Sequence, residues 1–106
     1  MGWFQDIISA LFEVDEKSRL SSSIIAAVCN EYYNSIGRPD LHTNAHEIGH
    51  LMTKLTTVGH TSIRGSTRYQ IAVKPDVFEL SPKLLAEVAE ARLHPRARRV
   101  KITTAV

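Results

Sequence analysis

The 106-residue chain lacks several features that would assign it to a protein class at once. Its single cysteine, Cys29, excludes an internal disulfide and fits a reducing compartment. The formal net charge of +2 is too small to indicate a polyanion partner by itself. No apolar run reaches bilayer-spanning length, and no basic segment precedes the first apolar residues as in a signal peptide. We therefore expect a cytoplasmic protein without a transmembrane segment.

Internal repeats, low-complexity tracts and interdomain linkers are lacking as well. With 43% hydrophobic and 23% charged residues, the chain has the composition of an ordinary globular protein, and its length suits one hydrophobic core. We expect a single domain over residues 1–106 and leave its oligomeric state open.

Four helices are predicted from apolar residues at helical spacing. The first is amphipathic, and we expect its apolar face to pack on the core or on a protein partner rather than on a membrane. Gly37 and Gly59 are the expected ends of the second and third helices, and Pro82 fits the first position of the fourth. The predicted ranges are Trp3–Val14, Ser18–Ile36, Asn44–Val58 and Pro82–Leu93.

Strands are predicted after the third helix, where the apolar period changes to two. His60–Arg64 and Thr67–Lys74 form a predicted hairpin, and Val100–Ala105 a short C-terminal strand. The expected fold class is therefore α+β: about four helices, a β-hairpin and a short C-terminal strand, with the third helix at the centre.

His46-Glu47-Ile48-Gly49-His50 is the stretch with the clearest chemistry. Residues four apart lie on the same face of a helix, so His46 and His50 are placed to bind one Zn²⁺ together. Glu47 lies beside them, where a general base belongs. The opposite side of this helix gathers the apolar residues Ala45, Ile48, Leu51, Met52, Leu55 and Val58.

This stretch resembles the HExxH signature of the zincin metallopeptidases, and its flanking residues agree with that signature. The resemblance implies Zn²⁺ as cofactor, His46 and His50 as ligands, Glu47 as catalytic base and a peptide or protein as substrate. It is strong over little more than ten residues. It looks like a minimal gluzincin-type domain, distantly similar also to the ImmA/IrrE-like intracellular metallopeptidases.

A catalytic zinc usually has a third protein ligand. The metzincin pattern is excluded because Thr53 and Thr56 occupy its glycine and third-histidine positions. His60 is disfavoured because an unbroken helix to Val58 would rise about 12 Å beyond His50. The gluzincin pattern implies a glutamate on a later helix, where Glu87 and Glu90 are the candidates. We select Glu87 because it borders the predicted apolar face of that helix, whereas Glu90 points nearly opposite it. That face consists of Leu84, Leu85, Val88 and Ala91. His42 and His94 remain outside candidates.

The sequence departs from the larger zincins in two ways. Helices precede the motif helix here, whereas those enzymes place there a mixed sheet that shapes the substrate cleft. Ala91 also stands where gluzincins often have an aspartate that supports a metal-bound histidine.

Other interpretations stay open. Asn44 and Glu47 also fit a capping box, in which Glu47 only closes the helix N-terminus. A non-catalytic assembly module, such as a small virion or connector protein, would make the histidines incidental. Nucleic-acid binding is less favoured, because the basic residues have no interleaved aromatic residues beside them. Those basic residues are Arg64, Arg68, Arg92, Arg96, Arg98, Arg99 and Lys101.

Overall fold

A computed structural model describes residues 2–55, 58–63, 65–74 and 79–91. It confirms the α+β fold class with four helices. The helices are α1 (Gly2–Leu11), α2 (Ser22–Ser35), α3 (Ala45–Met52) and α4 (82–91), with a 3-10 helix at Pro39–Leu41. The strands are β1 (Phe12–Val14), β2 (Leu20–Ser21), β3 (His60–Ile63), β4 (Ser66–Tyr69) and β5 (Ile71–Val73).

The first helix is shorter than predicted. It ends at Leu11, and the next three residues form β1, which pairs antiparallel with β5 from Phe12↔Val73 to Val14↔Ile71. Phe12 continues the helical period and is buried, but strand pairing with a distant segment decides its conformation. The apolar face of α1 (Phe4, Ile8, Leu11) lies in the protein's own core.

α2 begins later than predicted but ends where expected. Residues 18–21 were predicted helical, yet Leu20–Ser21 forms β2, and the Ser21 hydroxyl caps α2 by accepting from the Ile24 N–H at 3.3 Å. At the other end Gly37 has φ +75°, which glycine adopts without strain. The Arg38 and Gly37 N–H groups bond to the Tyr33 and Asn34 carbonyls, so the helix closes in a Schellman motif.

The second predicted hairpin strand divides in two at Gln70. β4 pairs with β3 and β2, whereas β5 pairs with β1 in a separate sheet. The Gln70 N–H donates to the Gly59 carbonyl, while its own carbonyl accepts from the Asp15 N–H, both at 2.9 Å. One residue therefore joins the two sheets, and Tyr69 and Ile71 on either side of it are buried.

α4 begins at the predicted place. The Ser81 hydroxyl accepts from the Leu84 N–H at 3.4 Å, and Pro82 takes the first helical position. Leu84 and Ala91 are buried, but Leu85 was predicted on the same face and is 51% exposed. Leu85 lies beside the core-facing side of α4, which Leu84, Val88 and Ala91 form. The rest of the predicted helix, the C-terminal strand, His94 and six of the seven basic residues (all but Arg68) lie outside the described residues.

Within those ranges, no helix combines the length and apolar character that a membrane crossing requires.

Candidate metal-binding helix

The motif lies on α3, which presents two opposite faces. Ile48 and Met52 are buried, while His46, Glu47 and His50 are exposed. This is the arrangement that the 100° period predicts. The helix packs against α2 through its buried side, so the histidine pair faces outward from the body.

α3 ends at Met52, six residues before the predicted end. After it, the Lys54 and Leu55 N–H groups donate to Leu51 and Met52 in i→i+3 bonds, so the last turn tightens instead of continuing the helix. α3 is therefore not an unbroken helix from His50 to Val58, and a helical rise of about 12 Å no longer separates His60 from His50. His60 is exposed on β3, paired with Tyr69.

Glu47 is held at the N-terminus of α3. The Asn44 side chain accepts from the Glu47 N–H at 2.9 Å, which is one half of the capping box. The carboxylate itself accepts from the Thr43 hydroxyl at 2.5 Å through Oε1. Thr43 thus orients Glu47 through Oε1, and Oε2 accepts no hydrogen bond among the residues that the structure describes.

Asn30 on α2 fixes the entry to the motif helix. Its amide donates to the Thr43 carbonyl at 2.9 Å and accepts from the Thr43 N–H at 2.8 Å. One turn on, Asn34 Oδ1 lies 2.7 Å from His42 Nε2. His42, an outside candidate for the third zinc ligand, therefore already has a hydrogen-bond partner at Nε2. In contrast, neither His46 nor His50 has a ring hydrogen bond among the described residues, which leaves their nitrogens free for a metal.

Tyr33 is a buried residue of α2, the helix against which α3 packs. Burial raises the pKa of its phenol, and Cys29, Glu47 and Tyr32 raise it further. The sequence pattern assigned Tyr33 only to packing and Thr43 only to the flank of the motif, and it did not indicate Asn30. The spacing of Asn30 and Asn34, four residues apart on one helix, was the available signal.

The predicted third ligand is not assembled with the pair. Glu87 is half-buried on α4 and Glu90 is exposed, as predicted, but the described residues contain no group of three metal-ligating side chains. α4 is tied to α2 by Glu31, whose carboxylate accepts from the Ser81 N–H at 2.9 Å and hydroxyl at 2.6 Å.

Tyr69 and His60 lie opposite each other on β4 and β3. Tyr69 is buried, which raises the pKa of its phenol, and its ring centroid lies 6.4 Å from that of His60. A shallow groove lies elsewhere, lined by α1, β1, Leu55, Val58 and Ile71, and does not include the motif residues.

Comparison with protein-family models, with curated protein sequences and with solved structures finds no match to this chain. The zincin resemblance therefore stays a prediction from the motif alone.

Proposed function

We propose that α3 is a zinc-binding helix and that the chain is a metallopeptidase-like domain. His46 and His50 would hold the metal, and the substrate would be a peptide or protein. The observation that carries the proposal is a pair of exposed imidazoles on one helix face, without ring hydrogen bonds in the described part of the chain. Beside them lies a carboxylate that Thr43 orients.

The residues fit zinc by their chemistry. Neutral imidazole nitrogen is a preferred zinc donor, and two histidines four apart on a helix meet one ion. When bound, zinc would polarise a peptide carbonyl and acidify a water molecule. Glu47 would take the proton and pass it to the leaving amine. The Thr43 hydroxyl would orient Glu47 through Oε1 and leave Oε2 to receive the proton. Glu87 remains the proposed third zinc ligand of the chain when it acts as a peptidase.

The first test is metal content by mass spectrometry on protein purified without a metal-affinity tag. We expect bound zinc in the native chain and in Glu47→Gln, and loss of zinc in His46→Ala and His50→Ala. His60→Ala is the matched control, because it removes an exposed histidine outside the motif. Zinc at a hundredfold excess over its dissociation constant should stabilise the native chain by about 2.7 kcal/mol against unfolding.

The second test is hydrolysis of a peptide library by the zinc-loaded chain. Glu47→Gln should abolish cleavage while keeping zinc, and Glu90→Gln, which changes an exposed carboxylate on α4, should leave cleavage intact. Absence of zinc binding would overturn the whole proposal. Zinc binding with equal cleavage by Glu47→Gln would overturn the catalytic role of Glu47.

A non-catalytic assembly module is the second candidate. The observation that favours it is the exposure of two large apolar side chains, Ile36 (49%) and Leu41 (41%), in the connection that leads into α3. A contact with another chain would bury these two side chains. In this alternative the compartment is the cytoplasm or a virion. Binding of nucleic acid through the basic residues stays a third, less favoured alternative.

A further inference from the structure

The α3 surface offers two zinc ligands and faces away from the protein body. Structural zinc sites are almost always tetrahedral with four protein ligands. Ile48 and Met52 hold the other side of α3 in the core, so a group that meets both imidazoles can approach from outside the chain.

We propose that zinc joins two copies of this chain, with His46 and His50 of each copy as the four ligands. This inference rests on the zinc-binding part of the proposed function. It adds the partner, a second copy, and a form of regulation for the same site.

The surface suits pairing with itself. A twofold interface brings the same patch of each copy together, so two ligands from one helix become four around the axis. Both imidazoles are exposed and without a hydrogen bond among the described residues, so neither has to leave a partner to bind metal.

The consequence concerns activity. Four imidazoles fill the tetrahedral positions, whereas a hydrolytic zinc keeps one position open. The paired form is therefore closed to substrate, and the single chain with its own third ligand is the form that hydrolyses. Activity per chain should fall as the chain concentration rises.

The experiment is sedimentation of the full chain during titration with zinc alone. We expect zinc to double the mass of the zinc-free species, to saturate at half an equivalent of zinc per chain, and to be reversed by EDTA. His46→Ala and His50→Ala should keep the zinc-free mass. His60→Ala and Glu87→Gln should double in mass like the native chain, since neither residue belongs to the shared site.

The outcomes separate this inference from the proposed function. Binding of one zinc per chain without a change in mass, weakened by Glu87→Gln, would overturn pairing and support the single-chain site. Absence of zinc binding would overturn both. Doubling of mass that persists in His46→Ala would overturn the shared-ligand arrangement, because another surface would then hold the copies together.

Discussion

Asn30 and Glu31 are neighbours on α2, and each holds the start of a different helix. Asn30 binds both backbone groups of Thr43 ahead of α3, and Glu31 binds the backbone and hydroxyl of Ser81 ahead of α4. Because neighbouring helix positions point about 100° apart, two adjacent residues can place two helices on different sides of α2. The orientation of the motif helix thus depends on a residue outside the motif.

Replacing Asn30 by alanine should lower the free energy of unfolding by about 1–2 kcal/mol, because the part-buried Thr43 backbone groups lose both bonds. Urea unfolding measures the change. The control is Asn34→Ala, on the same helix, whose side chain meets exposed His42 and should contribute less than about 0.5 kcal/mol. An equal decrease in the free energy of unfolding in the two variants would contradict a larger stabilising contribution from the Thr43 bonds.

Cys29 makes stability depend on pH. Burial raises the pKa of its thiol from 9.0 to about 12. The unfolded chain therefore loses this proton at lower pH than the folded chain does, so the contribution is complete below pH 9 and is lost as pH rises towards 12. Between pH 9 and 10 the slope from this thiol should approach about 1 kcal/mol per pH unit.

Urea unfolding at several pH values measures that slope. Cys29→Ala should flatten it between pH 9 and 10, whatever its effect on stability at pH 7. The raised phenol pKa values of Tyr33 and Tyr69 act in the same direction, but only above their ordinary value of 10. A slope unchanged by Cys29→Ala would contradict the thiol as its source.

At the scale of elements, glycines on and beside helices have opposite expected effects. A Cβ at Gly49, inside α3, would meet only the Ser22 hydroxyl at 3.8 Å, which is ordinary contact. Gly49→Ala should therefore stabilise the protein by about 0.5–1 kcal/mol. Gly37→Ala should destabilise it by about 1 kcal/mol, because φ there is +75°.

Thermal unfolding of the two variants checks this contrast. A loss of stability in Gly49→Ala would contradict the open space described there. If Gly49→Ala is more stable but binds zinc more weakly, the glycine is required for zinc binding and not for the stability of α3.

Some element ends set by local chemistry could be predicted, and those set by distant contacts could not. The glycine rule failed at Gly59, because α3 already ends at Met52. Gly37 and Ser81 mark ends that depend on backbone freedom and capping within a few residues. Phe12–Val14 reads as helix because its period is helical, but it pairs with residues 71–73. The faces of α3 follow from its period. A third ligand does not, because no period relates α3 to α4, whose relative placement depends on contacts such as Glu31–Ser81.

At the scale of the whole molecule, the two small sheets connect the first part of the chain with a late part. β1 pairs with β5 and β2 with β4, so residues 12–21 meet residues 68–73. Gln70 joins the two sheets at their common segment. Core side chains from α1, α2, α3 and α4 lie in one cluster with those of these strands.

Phe12→Ala should therefore destabilise the whole fold, by about 3–5 kcal/mol, because it empties a buried position where β1 meets the core. Val14→Ala is the control on the same strand, since Val14 is 61% exposed and its loss should stay within about 0.5 kcal/mol. Calorimetry should show one cooperative transition for both variants. Two separated transitions in Phe12→Ala would mean that the sheets unfold independently of the helices.

The pairing of β1 with β5 also orders events during synthesis. A ribosome releases residue 12 long before residue 73, so β1 leaves the exit tunnel without its partner strand. α2 and α3 are close in sequence and pack on each other, so they can form before the sheets are complete. Until residue 73 emerges, Phe12 and Leu20 lack the strands that they pair against in the finished fold. The nascent chain therefore carries the motif helix before it carries a closed core.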